Sequence, residues 1–325
     1  MPADWYQSDY TSSGKDDGTL FKASLKYTLN DDAMVYFTRS EGFRLGGTNA
    51  RKAVNTGRVP EKYDSDTLTN YELGLKSEWF DNRLQLNVAA YKMIYDDAQV
   101  YASPPLTADD DRTPWWLDGY FNLGKADLKG LEINGSWNVT RDMGVNFSAT
   151  FADSEFKEDQ WLDPTQADTV DPYFEAGEKM PNSPRNKLSL GVDYTVPGFM
   201  DMNADLYLRY DWFYSGSVYR QPGNSQVWSS WDPQADTSTT PPDVKIPSWE
   251  TSNLQAALYF ENDLTLTLFV RNVWNDTATS YVSNYNWYYS KYNPYIGLDN
   301  PMNIGVLERT LQKPRTITLQ LSKKF

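Results

Sequence analysis

The sequence predicts an all-β fold, an antiparallel transmembrane β-barrel, on three observations. Side chains alternate at period two in about eleven segments of roughly bilayer-spanning length. The connections between segments alternate short and long. Aromatic residues reach 15% of the chain. The terminal stretch carries the first pattern most plainly. Ile317, Leu319, Leu321 and Phe325 fall on one side of a strand, and Thr316, Thr318, Gln320 and Ser322 on the other. A wall between lipid and a wet lumen needs this, because every second side chain meets hydrocarbon. A soluble sandwich could end on the same strand, so the argument rests on the remaining segments.

Taken in order, Phe21, Ala23, Leu25, Tyr27 and Leu29 alternate with Lys22, Ser24, Lys26 and Thr28. Segment 34–41 is less regular, and its faces cannot be assigned. Tyr71, Leu73 and Leu75 alternate with Asn70, Glu72 and Lys76; Leu84, Leu86, Val88 and Ala90 with Gln85 and Asn87. Leu131, Ile133 and Trp137 alternate with Glu132, Asn134 and Ser136, and Val145, Phe147, Ala149 and Phe151 with Asn146, Ser148 and Thr150. Leu188, Leu190, Val192 and Tyr194 form the next set, then Ala204, Leu206, Leu208 and Tyr210. Leu254, Ala256, Leu258 and Phe260 follow, then Leu264, Leu266, Leu268 and Val270.

Short turns rich in Asn, Asp and Gly lie near residues 30–32, 80–83, 140–142, 197–199 and 261–263. These residue types satisfy tight-turn backbone groups or adopt positive φ. Long connections run over roughly 44–65, 102–118, 156–182, 220–246 and 275–309. Connections of that length are uncommon in a compact soluble domain. Short periplasmic turns and long extracellular loops are the barrel arrangement. The last strand follows a long connection, so it ends on the periplasmic side. Counting back places residues 1–18 outside the cell as a loop remnant. A complete bacterial barrel has an even strand number with both ends periplasmic. The expectation is therefore the C-terminal half of a larger barrel, with residues 1–325 as one partial barrel domain.

Composition narrows the function. The chain has 30 basic and 44 acidic residues, for a net charge of −14. That balance argues against a nucleic-acid partner, which needs a basic surface. Cysteine and histidine are absent, which removes thiolate and imidazole chemistry. No spaced carboxylate pair suggests catalysis, so no enzyme activity and no cofactor are expected. The triple Asp109-Asp110-Asp111 reads as a solvated loop tip before it reads as a calcium site. No apolar run is long enough for a transmembrane helix, which needs about 20 residues. The opening Met1-Pro2-Ala3-Asp4-Trp5-Tyr6 has no basic region followed by an apolar one and does not read as a signal peptide. The 23 Tyr and 12 Trp suit interfacial girdles, and equally suit a carbohydrate-binding β protein.

Several stretches resemble the barrel of TonB-dependent outer-membrane receptors. They are Tyr36-Phe-Thr-Arg-Ser-Glu-Gly-Phe-Arg-Leu-Gly-Gly-Thr-Asn49, the run from Pro60 to Ser77, Asn122-Leu-Gly-Lys-Ala-Asp-Leu-Lys-Gly-Leu-Glu-Ile133, Arg271-Asn272 ahead of Val273-Trp-Asn-Asp276, and the terminal Phe325. The resemblance spans nearly the whole chain. It implies a barrel of about 22 strands with a plugged lumen, of which this sequence would be the C-terminal half. It also implies a signal peptide, an N-terminal plug domain and a segment that meets the TonB complex, none of which this sequence contains. The implied function is uptake of a scarce chelate, ferric siderophore foremost, across a Gram-negative outer membrane. The implied partners are outer-membrane lipid, the protein's own plug, the TonB complex and a siderophore or similar small ligand. The alternatives are a passive porin-like channel and a soluble aromatic-rich carbohydrate-binding protein.

The candidate site residues follow from exposure and chemistry. In the loops, Trp115 and Trp116 with Arg112, Trp228 and Trp231 with Arg220, and Tyr285, Trp287, Tyr288, Tyr289 and Tyr292 offer aromatic area and cations for an anionic ligand. Rim packing or a girdle is the competing role. Loop 275–309 is the longest and richest in Tyr, so it is the first candidate for ligand capture. Arg44, Glu72 and Glu132 are expected to line the lumen, where they would meet water or the plug. The stretch 40–47 reads as strand-end and turn chemistry ahead of a ligand-facing wall. Phe325 is expected to serve barrel assembly, a role the resemblance gives to a terminal aromatic.

Overall fold

Alternating segments become one sheet when neighbouring strands share a register. The computed structural model describes residues 17–55, 57–102, 119–162, 172–219, 245–283 and 308–324. Eleven long strands form a single sheet: β1 (Lys22–Asn30), β2 (Ala33–Arg44), β3 (Asp66–Trp79), β4 (Leu84–Asp96), β5 (Ala126–Asn138), β6 (Met143–Phe156), β7 (Asn186–Val196), β8 (Ala204–Ser215), β9 (Trp249–Phe260), β10 (Leu264–Arg271) and β11 (Thr316–Lys323). Each strand pairs antiparallel with its sequence neighbour. The fold is all-β, and the strand number matches the sequence reading.

The short turns use one device repeatedly. Asp32 donates its backbone N–H to Asn30 Oδ1 at 2.9 Å, Asp142 to Thr140 Oγ1 at 3.2 Å, and Leu264 to Asn262 Oδ1 at 3.2 Å. A side-chain oxygen that takes the N–H two residues on mimics a backbone turn. Between β7 and β8 the chain turns at Gly198 with φ 59°, a conformation glycine adopts without steric cost.

Register fixes which side chains share a face. Phe37, Leu73, Ala90, Leu131 and Phe151 lie in one row across five strands. Val35, Leu75, Val88, Ile133, Ala149 and Leu188 lie in the next. The apolar sets read from the sequence therefore share one face. Segment 34–41, unassignable by eye, now has faces: Val35 and Phe37 join the apolar side, and Tyr36 and Thr38 the polar side.

The apolar face is bare. Leu25, Leu73, Leu131, Leu190 and Leu319 all stand exposed on it, Leu319 at 68%. A soluble sandwich would bury such a face against a second sheet. Among the described residues no second large sheet exists, only four two-stranded ladders in the connections. Every residue of β1 and β11 is exposed, as befits the two edges of the sheet. An unpaired edge is costly in lipid, where no water satisfies the backbone.

The polar face is hydrogen-bonded across strands. Tyr36 Oη donates to Glu72 Oε1 at 2.6 Å, and the Tyr36 ring fills the space above Gly74, where a Cβ would collide with it. Asn87 Nδ2 donates to Asn134 Oδ1 at 3.0 Å, and Ser148 and Ser189 share a hydrogen bond of 2.7 Å. Arg209 holds Asp211 through Nε at 3.0 Å and Nη2 at 2.7 Å. A shallow concavity of about 330 Å³ opens beside that pair, lined also by Asn146, Ser148, Ser189 and Gly191.

The sequence boundary at 102–118 is corrected. The chain leaves the main sheet earlier, at Asp97 (φ 56°), and builds a separate ladder of Ala98–Ala102 with Gly119–Leu123. Further ladders join Gly47–Thr48 to Lys62–Tyr63, Val218–Tyr219 to Lys245–Ile246, and Thr279–Ser283 to Glu308–Leu311.

Candidate functional site

Side chains converge at the long-connection end, where three connections fuse. Ala53, Val59, Phe121, Leu123, Ala126, Phe156, Leu162 and Phe174 form one buried cluster. Ala53 comes from the short helix α1 (Arg51–Val54), Phe121 and Leu123 from the second ladder, and Leu162 and Phe174 from the third connection. The Phe156 and Phe174 rings stack at 3.9 Å. Tyr95, Val100, Tyr173 and Met180 pack around them.

Polar side chains, Asp66 and Asn49 among them buried, tie the same connections together. Asp66, 1% exposed, accepts the Arg44 guanidinium and backbone N–H, and the Gln99 N–H at 3.1 Å. Asn49 donates to Pro60 O at 2.9 Å and Tyr120 O at 2.8 Å, and accepts from Tyr120 N at 2.7 Å. Asn122 donates to Asp64 O at 2.9 Å and Asp97 O at 3.0 Å, and accepts from Asp64 N at 2.7 Å. Gln99 Nε2 donates to Leu45 O and Asp64 O, both at 2.9 Å. Each of these side chains bonds backbone groups of a neighbouring connection, so the loops are held rather than merely adjacent. Gly46 and Gly47 run so close to Tyr63 that a Cβ on either would strike it. Close approach to Tyr63 accounts for Gly46 and Gly47; around Gly42 the space is open.

Alternation in the ladder that buries Phe121 and Val100 turns Tyr101 and Tyr120 to its other side. Tyr120 stacks on Tyr63 at 4.8 Å and meets Tyr101 edge-on at 5.0 Å. Tyr101 is 59% exposed and Tyr120 40%. The Arg44 guanidinium reaches Gln99 O at 3.3 Å beside this group and is itself 57% exposed. Three ring faces and a fixed cation on a rigid base suit a flat or anionic ligand.

Arg44 therefore sits at the rim, engaged by Asp66, while Glu72 and Glu132 lie on the polar face of β3 and β5. Arg112, Trp115, Trp116, Arg220, Trp228, Trp231, Tyr285, Trp287, Tyr288, Tyr289, Tyr292 and Phe325 lie outside the described residues, as does Asp109-Asp110-Asp111. The tyrosine group was not singled out from sequence. Its members are far apart in the chain, and the available signal was the five-residue alternation around Tyr101 and Tyr120.

Residues 3–273 match the family profile described as TonB dependent receptor-like, beta-barrel. The chain belongs to that family. The probable TonB-dependent siderophore receptor PiuA of Acinetobacter baumannii is 20% identical over 67% of this chain and 27% of its own length. The pesticin receptor of Yersinia enterocolitica is 28% identical over 45% of this chain and 20% of its own. The crystal structure of the ferric yersiniabactin uptake receptor FyuA from Yersinia pestis superposes with a TM-score of 0.63 at 17% identity, covering 94% of this chain and 37% of that one. The ferripyoverdine receptor of the Pseudomonas aeruginosa outer membrane, bound to ferripyoverdine, gives 0.60 at 18% identity over 92% of this chain and 32% of that one. The chain thus spans about a quarter of the curated relative's length and about a third of these solved structures. The solved structures share the fold, an antiparallel receptor barrel of which this open sheet is a part.

Proposed function

We propose that this chain is the C-terminal part of the barrel of an outer-membrane receptor that imports a ferric siderophore with energy from the TonB system. The observation that carries the reading is the bare apolar face. Leucines exposed on five of the eleven strands call for lipid to cover them, and the matching family consists of TonB-dependent receptor barrels. Relatives named as siderophore and ferric-pyoverdine receptors support the ligand class. In this reading the edges of β1 and β11 pair with the rest of the barrel, and the polar face meets the plug. The long connections face outward from the cell.

The capture surface proposed among the described residues is Tyr63, Tyr101 and Tyr120 with Arg44. The test uses the full-length receptor in iron-starved cells lacking other siderophore receptors. Radiolabelled iron is supplied as a panel of hydroxamate, catecholate and phenolate chelates. Uptake of at least one, abolished by loss of TonB, is expected. The Tyr63→Ala/Tyr101→Ala/Tyr120→Ala triple variant should weaken binding of that chelate while folded barrel stays at the wild-type level. No uptake of any chelate, or equal uptake without TonB, would contradict the reading.

A further inference from the structure

The guanidinium beside the tyrosine group is already matched by an acid. Arg44 and Asp66 stand opposite each other in the β2–β3 ladder. Both carboxylate oxygens of Asp66 accept from it: Arg44 Nε lies 3.1 Å from Oδ1 and 2.9 Å from Oδ2, and Nη2 donates to Oδ2. The Arg44 N–H at 3.2 Å and the Gln99 N–H at 3.1 Å complete that carboxylate. Arg44 Nη2 also donates to Gln99 O at 3.3 Å. Among the described residues Nη1 has no partner, so one NH2 edge of Arg44 is left for a ligand.

The burial of Asp66 decides how far the charge is cancelled. Solvent and salt barely reach that carboxylate, so the pair is screened much less than two surface charges would be. The neighbouring residues supply no replacement cation. Glu61, Lys62 and Asp64 flank Tyr63, and the exposed Asp97 precedes the ladder that carries Tyr101 and Tyr120. Together they add negative charge, in a chain whose net charge is −14. Tyr101 and Tyr120 are register partners, and Tyr120 also stacks on Tyr63. The surface therefore offers ring faces and one N–H edge but no net positive charge.

We infer that this surface selects an uncharged aryl chelate over a multiply anionic one, and that Asp66 is the positioning residue that sets the preference. The inference rests on the capture surface proposed above. Ligand rings stack on the exposed faces of Tyr101 and Tyr120, and Arg44 Nη1 donates to one neutral oxygen or nitrogen at a ring edge. A chelate with several negative charges would approach acids without meeting an uncompensated cation, and such a mismatch rejects it. Asp66 touches no ligand. It acts through Arg44, whose guanidinium it both holds in place and neutralises.

The full-length receptor in neutral detergent is titrated with three ferric complexes, read by quenching of its tryptophan fluorescence. They are an uncharged tris(phenolate–oxazoline), an uncharged tris(hydroxamate) and a triply anionic tris(catecholate). Wild type should bind the first at least about tenfold more tightly than the third, and about fivefold more tightly than the second, which has no ring. D66N leaves Arg44 uncompensated and should narrow the gap between the first and third about tenfold. R44Q/D66N removes both charges together. It should bind all three more weakly with the wild-type order kept, which separates a charge effect from loops loosened by D66N. If D66N weakens all three equally, Asp66 is structural only and the inference is overturned, as it is by a wild-type preference for the catecholate. The Y63A/Y101A/Y120A variant separates the two claims. If it binds as wild type does, the capture surface is misplaced and both fail. If it loses binding while D66N keeps the wild-type ratios, the inference alone fails.

Discussion

The eleven-stranded sheet and the cluster of connections at its end are stabilised by opposite means. Eight of the twelve buried hydrophobic residues among the described ones sit in the cluster. The sheet leaves its leucines bare. The cluster is organised as a small soluble domain is, with a core of aromatics and amide side chains bonded to the backbone of neighbouring connections. The sheet instead relies on its surroundings to cover one face. The same chain is therefore written in two codes. Period two governs where lipid is the solvent, and non-local packing governs where water is.

That contrast can be broken from either side. The largest effect expected is in the cluster, where Phe121→Ala should cost about 3–5 kcal/mol of local stability. Hydrogen exchange should accelerate over 45–55, 57–65, 97–102 and 119–125 while β8 to β11 keep their protection. Loss of protection throughout would mean that cluster and sheet unfold as one unit. On the apolar face, Leu266→Arg should cost about 2–4 kcal/mol if that position lies near the membrane midplane. Folding of the full-length receptor into bilayers measures it, and Thr318→Arg on the polar face is the control. Thr267 is a poorer control than its polar-face position suggests, because it is buried between neighbours. A smaller change is expected for Asn49→Ala, about 1–3 kcal/mol. It leaves Tyr120 N–H and two carbonyls without their partner and should loosen the Tyr63–Tyr120 stack, read as faster exchange of the Tyr120 amide. The smallest is Gly191→Ala. Its Cβ would meet Asp211 Oδ1 at 2.9 Å, so the Arg209–Asp211 pair should shift by a few tenths of an ångström with folded yield unchanged.

The two codes also explain what the sequence made legible. Strands with an uninterrupted alternation, such as β5 from Leu131 to Trp137, could be read directly because hydrocarbon selects every second residue. Segment 34–41 could not. Arg39 and Glu41 follow Phe37 on the same face, so the apolar pattern stops partway along the strand. The cluster was illegible for a different reason. Tyr63, Tyr101 and Tyr120 meet only because Asn49, Gln99 and Asn122 bind distant backbone, and no local period marks such contacts. The polar-face position of Glu72 and Glu132 needed only the parity of their strands. The boundary at 102–118 failed because a second ladder with its own alternation begins just after Asp97.

The central claim is that the odd-numbered face of β5 meets lipid and the even-numbered face does not. The most direct measurement places a spin label in turn at Leu131, Glu132, Ile133, Asn134 and Gly135 of the full-length receptor in bilayers. Accessibility to oxygen, which concentrates in hydrocarbon, is compared with that to a water-soluble nickel chelate. Oxygen accessibility should peak at 131, 133 and 135 and fall at 132 and 134. A reversed phase, or no alternation across the five positions, would contradict the account.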